Sequence, residues 1–258
     1  MSKAARERSA RERLAEQRKR EQARQRQRRL LAVVLGAVVA VAAVVAAIVI
    51  IVDQQGRRDQ KAVAYTGPQA PVTREADGSI VMAKQGVTKP VLEIFEDFQC
   101  PACKQFEEST GKTVKQLAAE GKVKVVYRPF HLFGQQRDPI RSNSLRSAAA
   151  ALCVPAAQWL SYHDALFKFQ PVEGRDGFAT DDLVAWGKDV GVTDPNFDKC
   201  VTDQQKKSQV DEMTKYALDD RKVTGTPTVF LDGRKLENEI GSGETLRQAI
   251  ESAAQSGR

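Results

Sequence analysis

The sequence predicts an α/β fold: a mixed sheet with helices on both faces, a block of helices inserted into its middle, and one apolar span ahead of it. Three observations carry this. A strand–helix–strand run occupies residues 79–130, helical periodicity fills about 140–222, and a strand–turn–strand–helix run closes the chain. Before all of them, Leu30 to Val52 runs 23 residues without a charge.

The apolar run comes first in the chain. At 1.5 Å per residue it is about 34 Å long, enough for a hydrocarbon core of ~30 Å. It is too long for the apolar part of a secretory signal peptide, and it ends in IVIIVDQQ rather than in a small-residue cleavage pattern. A single uncleaved transmembrane helix over 30–52 is expected. Residues 1–29 hold twelve Lys/Arg and four Glu, a net +8, whereas only Arg57, Arg58 and Lys61 follow the span closely. This asymmetry predicts a cytoplasmic basic tail and an extracytoplasmic remainder at the cell membrane. Of the formal +7, the tail accounts for more than all. The rest of the chain, at −1, lacks the basic face that nucleic-acid binding needs.

Residues 53–78 are polar with few large apolar groups and read as a linker of up to roughly 80 Å. Residues 79–256 read as the folded domain. SIVMA and PVLEIFEDF (90–98) are strands, and a helix follows CPAC to about Glu120, with Phe106, Val114, Leu117 and Ala118 inward and a bend at Gly111. KVKVVYRPF (122–130) alternates as a strand does. This βαβ unit takes a right-handed crossover. In the helical block Trp159, His163, Leu166 and Phe167 share a face, as do Leu183, Trp186 and Val190, and Val210, Met213 and Ala217. TPTVFLD (226–232) returns to strand, Asp232-Gly233 turns, RKLENEI pairs back, and a last helix buries Leu246, Ile250 and Ala253. The order βαβ, helices, ββα is a thioredoxin fold with an inserted helical domain.

All four cysteines, Cys100, Cys103, Cys153 and Cys200, lie beyond the span, in a compartment where disulfides persist. Cys100-Pro-Ala-Cys103 sits where a strand gives way to a helix, with Pro101 at the first helical position. The free N–H groups and the positive helix end favour the Cys100 thiolate, the attacking species in disulfide exchange. Cys103, one turn on, is the resolving thiol. A zinc site would need two more ligands, and the remaining cysteines are 47 positions apart with no paired histidines. A permanent staple is the other reading of CPAC. Cys153 and Cys200 read as a structural disulfide, with a second redox pair or two buried free thiols as the alternatives. His163 reads as a core histidine and His131 as a loop residue.

FEDFQCPAC, WLSYHDALF and GTPTVFLDG together resemble the DsbA family of thiol–disulfide oxidoreductases, in particular its membrane-anchored Gram-positive and actinobacterial forms. The resemblance covers residues 79–256 or so. It implies a cis Pro227 beside the dithiol, with Thr226 offering backbone groups to an extended substrate. It implies an oxidase that donates the Cys100–Cys103 disulfide to exported proteins. A quinone-linked membrane protein of the DsbB or VKOR kind would reoxidise it. No metal or dissociable cofactor is implied, the disulfide being the redox group, and a monomer is expected. Two positions depart from the family. Ala102 stands where many members have His, and Ile94 where many have a buried proton-transfer acid, for which Glu96 is the candidate here. The Ala102 departure keeps a reductase or isomerase open as the rival reading. A non-redox peptide binder is a further one.

Overall fold

The structure, a computed structural model, describes residues 41–45, 47–48 and 61–256, and divides into two units, 1–59 and 60–258. In the first, residues 41–45 and 47–48 are helical and exposed. The basic tail, most of the expected span and residues 53–60 lie outside the described residues. Among the described residues no helix is long and apolar enough to cross a membrane.

The second unit is built on one six-stranded sheet, order β1-β2-β4-β3-β5-β6. Its strands are β1 (Val72–Arg74), β2 (Ile80–Met82), β3 (Val91–Glu96), β4 (Lys124–Pro129), β5 (Thr228–Leu231) and β6 (Arg234–Leu236). Only β3 and β4 run parallel, with Ile94 opposite Tyr127, and the other neighbours are antiparallel. The crossover between the parallel pair is α1 (Pro101–Glu120). The insertion holds α2 (Ile140–Cys153), α3 (Ala156–Lys168), α4 (Thr180–Asp189), α5 (Phe197–Thr202) and α6 (Lys207–Lys215), the last running into a π turn, Tyr216–Asp220. The chain closes with α7 (Gly243–Ser256), packed along α1.

Strand alternation divides the core between the two sheet faces. Leu92, Ile94, Val125, Tyr127, Val229 and Leu231 face the larger cluster, which the helical faces read from the sequence complete through Trp159, Leu166, Phe167, Leu183, Trp186, Leu246 and Ile250. Phe95 and Phe130 face the smaller one with Ala217 and Val223, closed by Tyr216 and Phe230. Each such fully buried side chain contributes about 1.5–3 kcal/mol, so the central strands β3 and β4 are the most firmly held, and β3 is the strand that delivers Cys100.

Several boundaries differ from the sequence reading. The folded body starts before Ser79. Ala62 and Ala70 are buried, the Ala62 N–H donates to Asp189 at 3.0 Å, and the Tyr65 N–H donates to Ser161 Oγ at 2.9 Å. Strand β1 escaped notice because it is three residues long and pairs on one side only, so it needs no apolar alternation. Strand β6 stops at Leu236, and a 3-10 turn, Asn238–Ile240, takes the rest of the expected partner strand. Helix α1 runs unbroken through Gly111, which is buried with the Glu107 carboxylate over its α-carbon, so close packing and not a bend accounts for the glycine. The turn at Asp232-Gly233 is as expected, with φ +48° and +83°.

Candidate active site

The end of β3 and the start of α1 carry the dithiol. Cys100 is the N-cap of α1, extended at φ −79°, ψ 118°, and Pro101 opens the helix. The Cys100 carbonyl takes the first helical bonds, from the Cys103 N–H at 3.1 Å and the Lys104 N–H at 3.2 Å. No acidic residue occupies the first turn to offset the helix dipole. Both sulfurs are free thiols here, Cys100 7% exposed and Cys103 1%.

The two thiols differ sharply in proton affinity. The Cys103 thiol first, then the Thr226 hydroxyl and the N–H groups of Cys103 and Ala102, hold Cys100 down against the effect of burial, from 9.0 to about 6. Burial first, then the neighbouring Cys100 sulfur, push Cys103 well above its ordinary value, while the Asp97 N–H pulls the other way. At neutral pH the pair therefore holds one proton, on Cys103.

The Thr226–Pro227 peptide is cis, and Cys100 Sγ lies 3.4 Å from the Thr226 carbonyl oxygen, to which it donates when protonated. The Thr226 hydroxyl oxygen is buried without a hydrogen-bond partner in this structure, and it stands near enough to the dithiol to favour the Cys100 thiolate. Lys89–Pro90 and Asp138–Pro139 are also cis, which composition gave no sign of.

Cys153 and Cys200 form a disulfide between the end of α2 and the middle of α5, with S–S 1.98 Å and Cα–Cα 5.9 Å.

Glu96 is fully buried, and its Oε1 lies 2.9 Å from His163 Nε2. Burial raises Glu96, with His163 opposing. Burial would lower His163, but Glu96 first and then Asp164 outweigh it and raise it to about 10. His163 thus packs among Phe98, Tyr127, Trp159 and Phe167 as a charged core histidine. Glu107, His163 and Asp164 each bring a ligand atom within 4.8 Å of the others, the spacing of a metal site. Lys115 Nζ already bonds Glu107 at 2.8 Å and Asp164 at 2.7 Å, so a cation of the protein's own serves that cluster. His131 lies after β4, buried, with Nε2 unpartnered.

Three residues near the dithiol were not found from the sequence. Asp97 is buried, its carboxylate accepting hydrogen bonds from Gln99, Leu132 and Ser144. Gln99 is buried with both ends of its amide unpartnered. Gln170, in the α3–α4 connection, donates from Nε2 to the carbonyls of Phe98 at 2.7 Å and Cys100 at 2.9 Å, pinning the turn before the helix. No local pattern marks any of them, since Leu132 and Ser144 lie 35 and 47 residues from Asp97, and Phe98 and Cys100 lie 72 and 70 from Gln170.

A protein-family model described as thioredoxin matches residues 85–252. The chain belongs to the thioredoxin family. Within that family its fold is of the DsbA type. It is similar to the solved MdbA protein of Actinomyces oris, a thiol–disulfide oxidoreductase, at 24% identity and TM-score 0.59 over 74% of this chain and 95% of that one. It is similar to the MdbA protein of Corynebacterium diphtheriae, also a thiol–disulfide oxidoreductase, at 22% identity and TM-score 0.58 over 73% and 96%. It is similar to reduced DsbA from Mycobacterium tuberculosis at 26% identity and TM-score 0.53 over 74% and 100%. No curated protein matches it. The resemblance read from FEDFQCPAC and GTPTVFLDG is therefore borne out across the folded domain.

Proposed function

We propose that the chain is a membrane-tethered, extracytoplasmic protein thiol–disulfide oxidoreductase that donates its Cys100–Cys103 disulfide to exported proteins. What supports this direction of transfer is the seat of Cys100 at the N-cap of α1, where no first-turn acid opposes the helix dipole and the pKa is lowered from 9.0 to about 6. A stabilised thiolate stabilises the reduced protein, and a stable reduced form makes the disulfide a strong oxidant. The Ala102 departure does not remove this, because the Ala102 main-chain N–H is among the groups that hold the thiolate.

In the reaction a substrate thiolate attacks Cys100 Sγ, and Cys103 leaves as thiolate and takes a proton. The second substrate thiolate then attacks the substrate sulfur of the mixed disulfide, and Cys100 leaves as thiolate. The substrate has lost two electrons and the dithiol has gained them. The carbonyl of Thr226, 3.4 Å from Cys100 Sγ, and the adjoining backbone are placed to pair with an extended substrate segment. Reoxidation falls to a quinone-linked membrane protein of the DsbB or VKOR kind. The Cys153–Cys200 bond is structural in this reading.

The test is oxidative folding of a reduced, unfolded disulfide protein by the full chain in detergent. The oxidised protein should restore activity to the substrate, and Cys100→Ser should restore none. A chain that instead reduces the disulfides of a native substrate faster than it oxidises reduced ones would be a reductase.

A further inference from the structure

We propose that the cavity walled by His131 and the starts of α2 and α6 is a binding site for a small organic acid with one carboxylate and a short apolar body. None of its wall residues belongs to the dithiol site, and the proposal stands whether or not the thiol–disulfide reading does.

The cavity holds about 390 Å³, within the ~300–1,000 Å³ of small-molecule sites. Three segments wall it. His131 comes from the loop after β4, Asp138, Arg141 and Arg146 from α2 and its lead-in, and Lys207 and Asp211 from α6.

Two of these side chains carry a buried polar atom with no hydrogen-bond partner among the described residues, Nε2 of His131 and Nε of Arg146. A buried donor left unmade is costly, so native proteins rarely keep one. Neither side chain is free to turn away. Arg146 Nη2 is committed to Asn143 Oδ1 at 2.9 Å, Asp176 Oδ1 at 2.7 Å and the Gly177 carbonyl at 2.8 Å. His131 is 9% exposed, and its main-chain N–H is fixed on Thr214 Oγ1 of α6 at 3.1 Å. Both side chains line the same cavity, so a partner for either atom comes from there.

The chemistry of that partner follows from the donors. Arg146 Nε only donates, and His131 Nε2 donates in one neutral tautomer. Two donors call for a group that only accepts through two oxygens, which is an ionised carboxylate. Charge favours the same answer. Arg141, Arg146 and Lys207 stand against Asp138 and Asp211, one positive charge in excess, which suits one carboxylate better than a doubly charged phosphate. The outer pairs, Arg141–Asp138 and Lys207–Asp211, each 2.8 Å, are about half exposed. Exposed pairs of this kind are weak, so Arg141 and Lys207 can turn to an incoming acid. Leu145 adds an apolar wall for the body of the acid.

The test uses sodium butyrate and the full chain in detergent. The chain has two histidines, so carbon-13 labelling of histidine gives two ring signals to follow by NMR. Butyrate, against sodium chloride at equal ionic strength, should move the His131 signal along a saturating curve and leave the His163 signal in place. Inorganic phosphate should move it far less. Arg146→Lys keeps the charge and removes the Nε donor, and should weaken butyrate about tenfold or more. Lys207→Ala, at the mouth, should weaken it roughly two- to fivefold. Should Arg146→Lys fail to fold by circular dichroism, His131→Phe replaces it, and calorimetry should find the butyrate heat lost. A His131 signal that stays put, or drifts with salt without saturating, overturns the proposal. Tighter binding of phosphate than of butyrate overturns the carboxylate assignment. Unchanged butyrate affinity in a folded Arg146→Lys or His131→Phe puts the acid elsewhere and overturns the site.

Discussion

Two cysteine pairs in one domain differ in where each sulfur stands on its helix. Cys100 caps the N-terminus of α1, where free N–H groups meet the sulfur, and Cys103 lies one turn inside. Cys153 is the last residue of α2, at the negative end, and Cys200 sits inside the six-residue α5. A thiolate is favoured at the first place and disfavoured at Cys153. Spacing adds to this. The first pair closes a tight loop with little entropic gain, whereas the second closes 47 residues and ties two helices of the insertion. In the reading proposed above, the same bond is a reagent at one site and a constraint at the other, and the two sites differ in helix position.

The sharpest way to break the comparison is to remove one sulfur of the first pair. Cys103→Ser holds no disulfide to donate, but its Cys100 thiolate should attack the disulfide of an oxidised substrate and stay joined to one of its sulfurs, visible as a covalent complex in non-reducing electrophoresis, while oxidative turnover is lost altogether. Absence of any trapped species would remove Cys100 from the role of the exchanging sulfur. The next largest effect belongs to the second pair. Cys153→Ala with Cys200→Ala should cost about 4 kcal/mol of stability in denaturant unfolding, while the transfer rate at a temperature where the variant is folded stays near that of the parent. Loss of transfer with unchanged stability would make the pair a redox relay.

A smaller effect sharpens what sets Cys100 apart. Thr226→Val removes a hydroxyl that faces the sulfur. A hydrogen bond to a charged group is worth ~1.5–3 kcal/mol, so the Cys100 pKa should rise by about one unit, read from ultraviolet thiolate absorbance. The sign follows from a depressed pKa. The thiolate is present above about 6 and lost as pH falls through it. Reduction of a disulfide substrate by the reduced protein, in which the Cys100 thiolate is the attacking species, should therefore lag the parent near pH 6 and match it near pH 8 in the variant. Equal rates at both would mean that the hydroxyl does not hold the thiolate.

The placement of the Cys100–Cys103 pair was legible in the sequence because its determinants are local: two cysteines and a proline at a strand–helix junction. The helical faces were legible for the same reason, since periodicity at Trp159, Leu166 and Phe167 needs no partner to be seen. The polar shell around the dithiol was not. Asp97 meets Ser144 across 47 residues, and Gln170 meets Cys100 across 70. Such partners come together only once the insertion has folded onto the sheet. The polar residue picked from the sequence, Glu96, followed from strand parity alone, and parity sends it to His163 on the larger core face. Its neighbour Asp97 bonds the α2 side beside the sulfurs. Strand β1 was hidden by brevity, and residues 61–71 by their reliance on backbone bonds to Asp189 and Ser161.

The central claim is that the Cys100–Cys103 pair is a disulfide donor. Its most direct test is the reduction potential of the full chain, by equilibration with glutathione and alkylation of Cys100. A value well above that of thioredoxin, about −270 mV, and towards the −120 mV or so of a strong oxidant, is what a disulfide donor predicts. A value near −270 mV would make the protein a reductase and contradict the account.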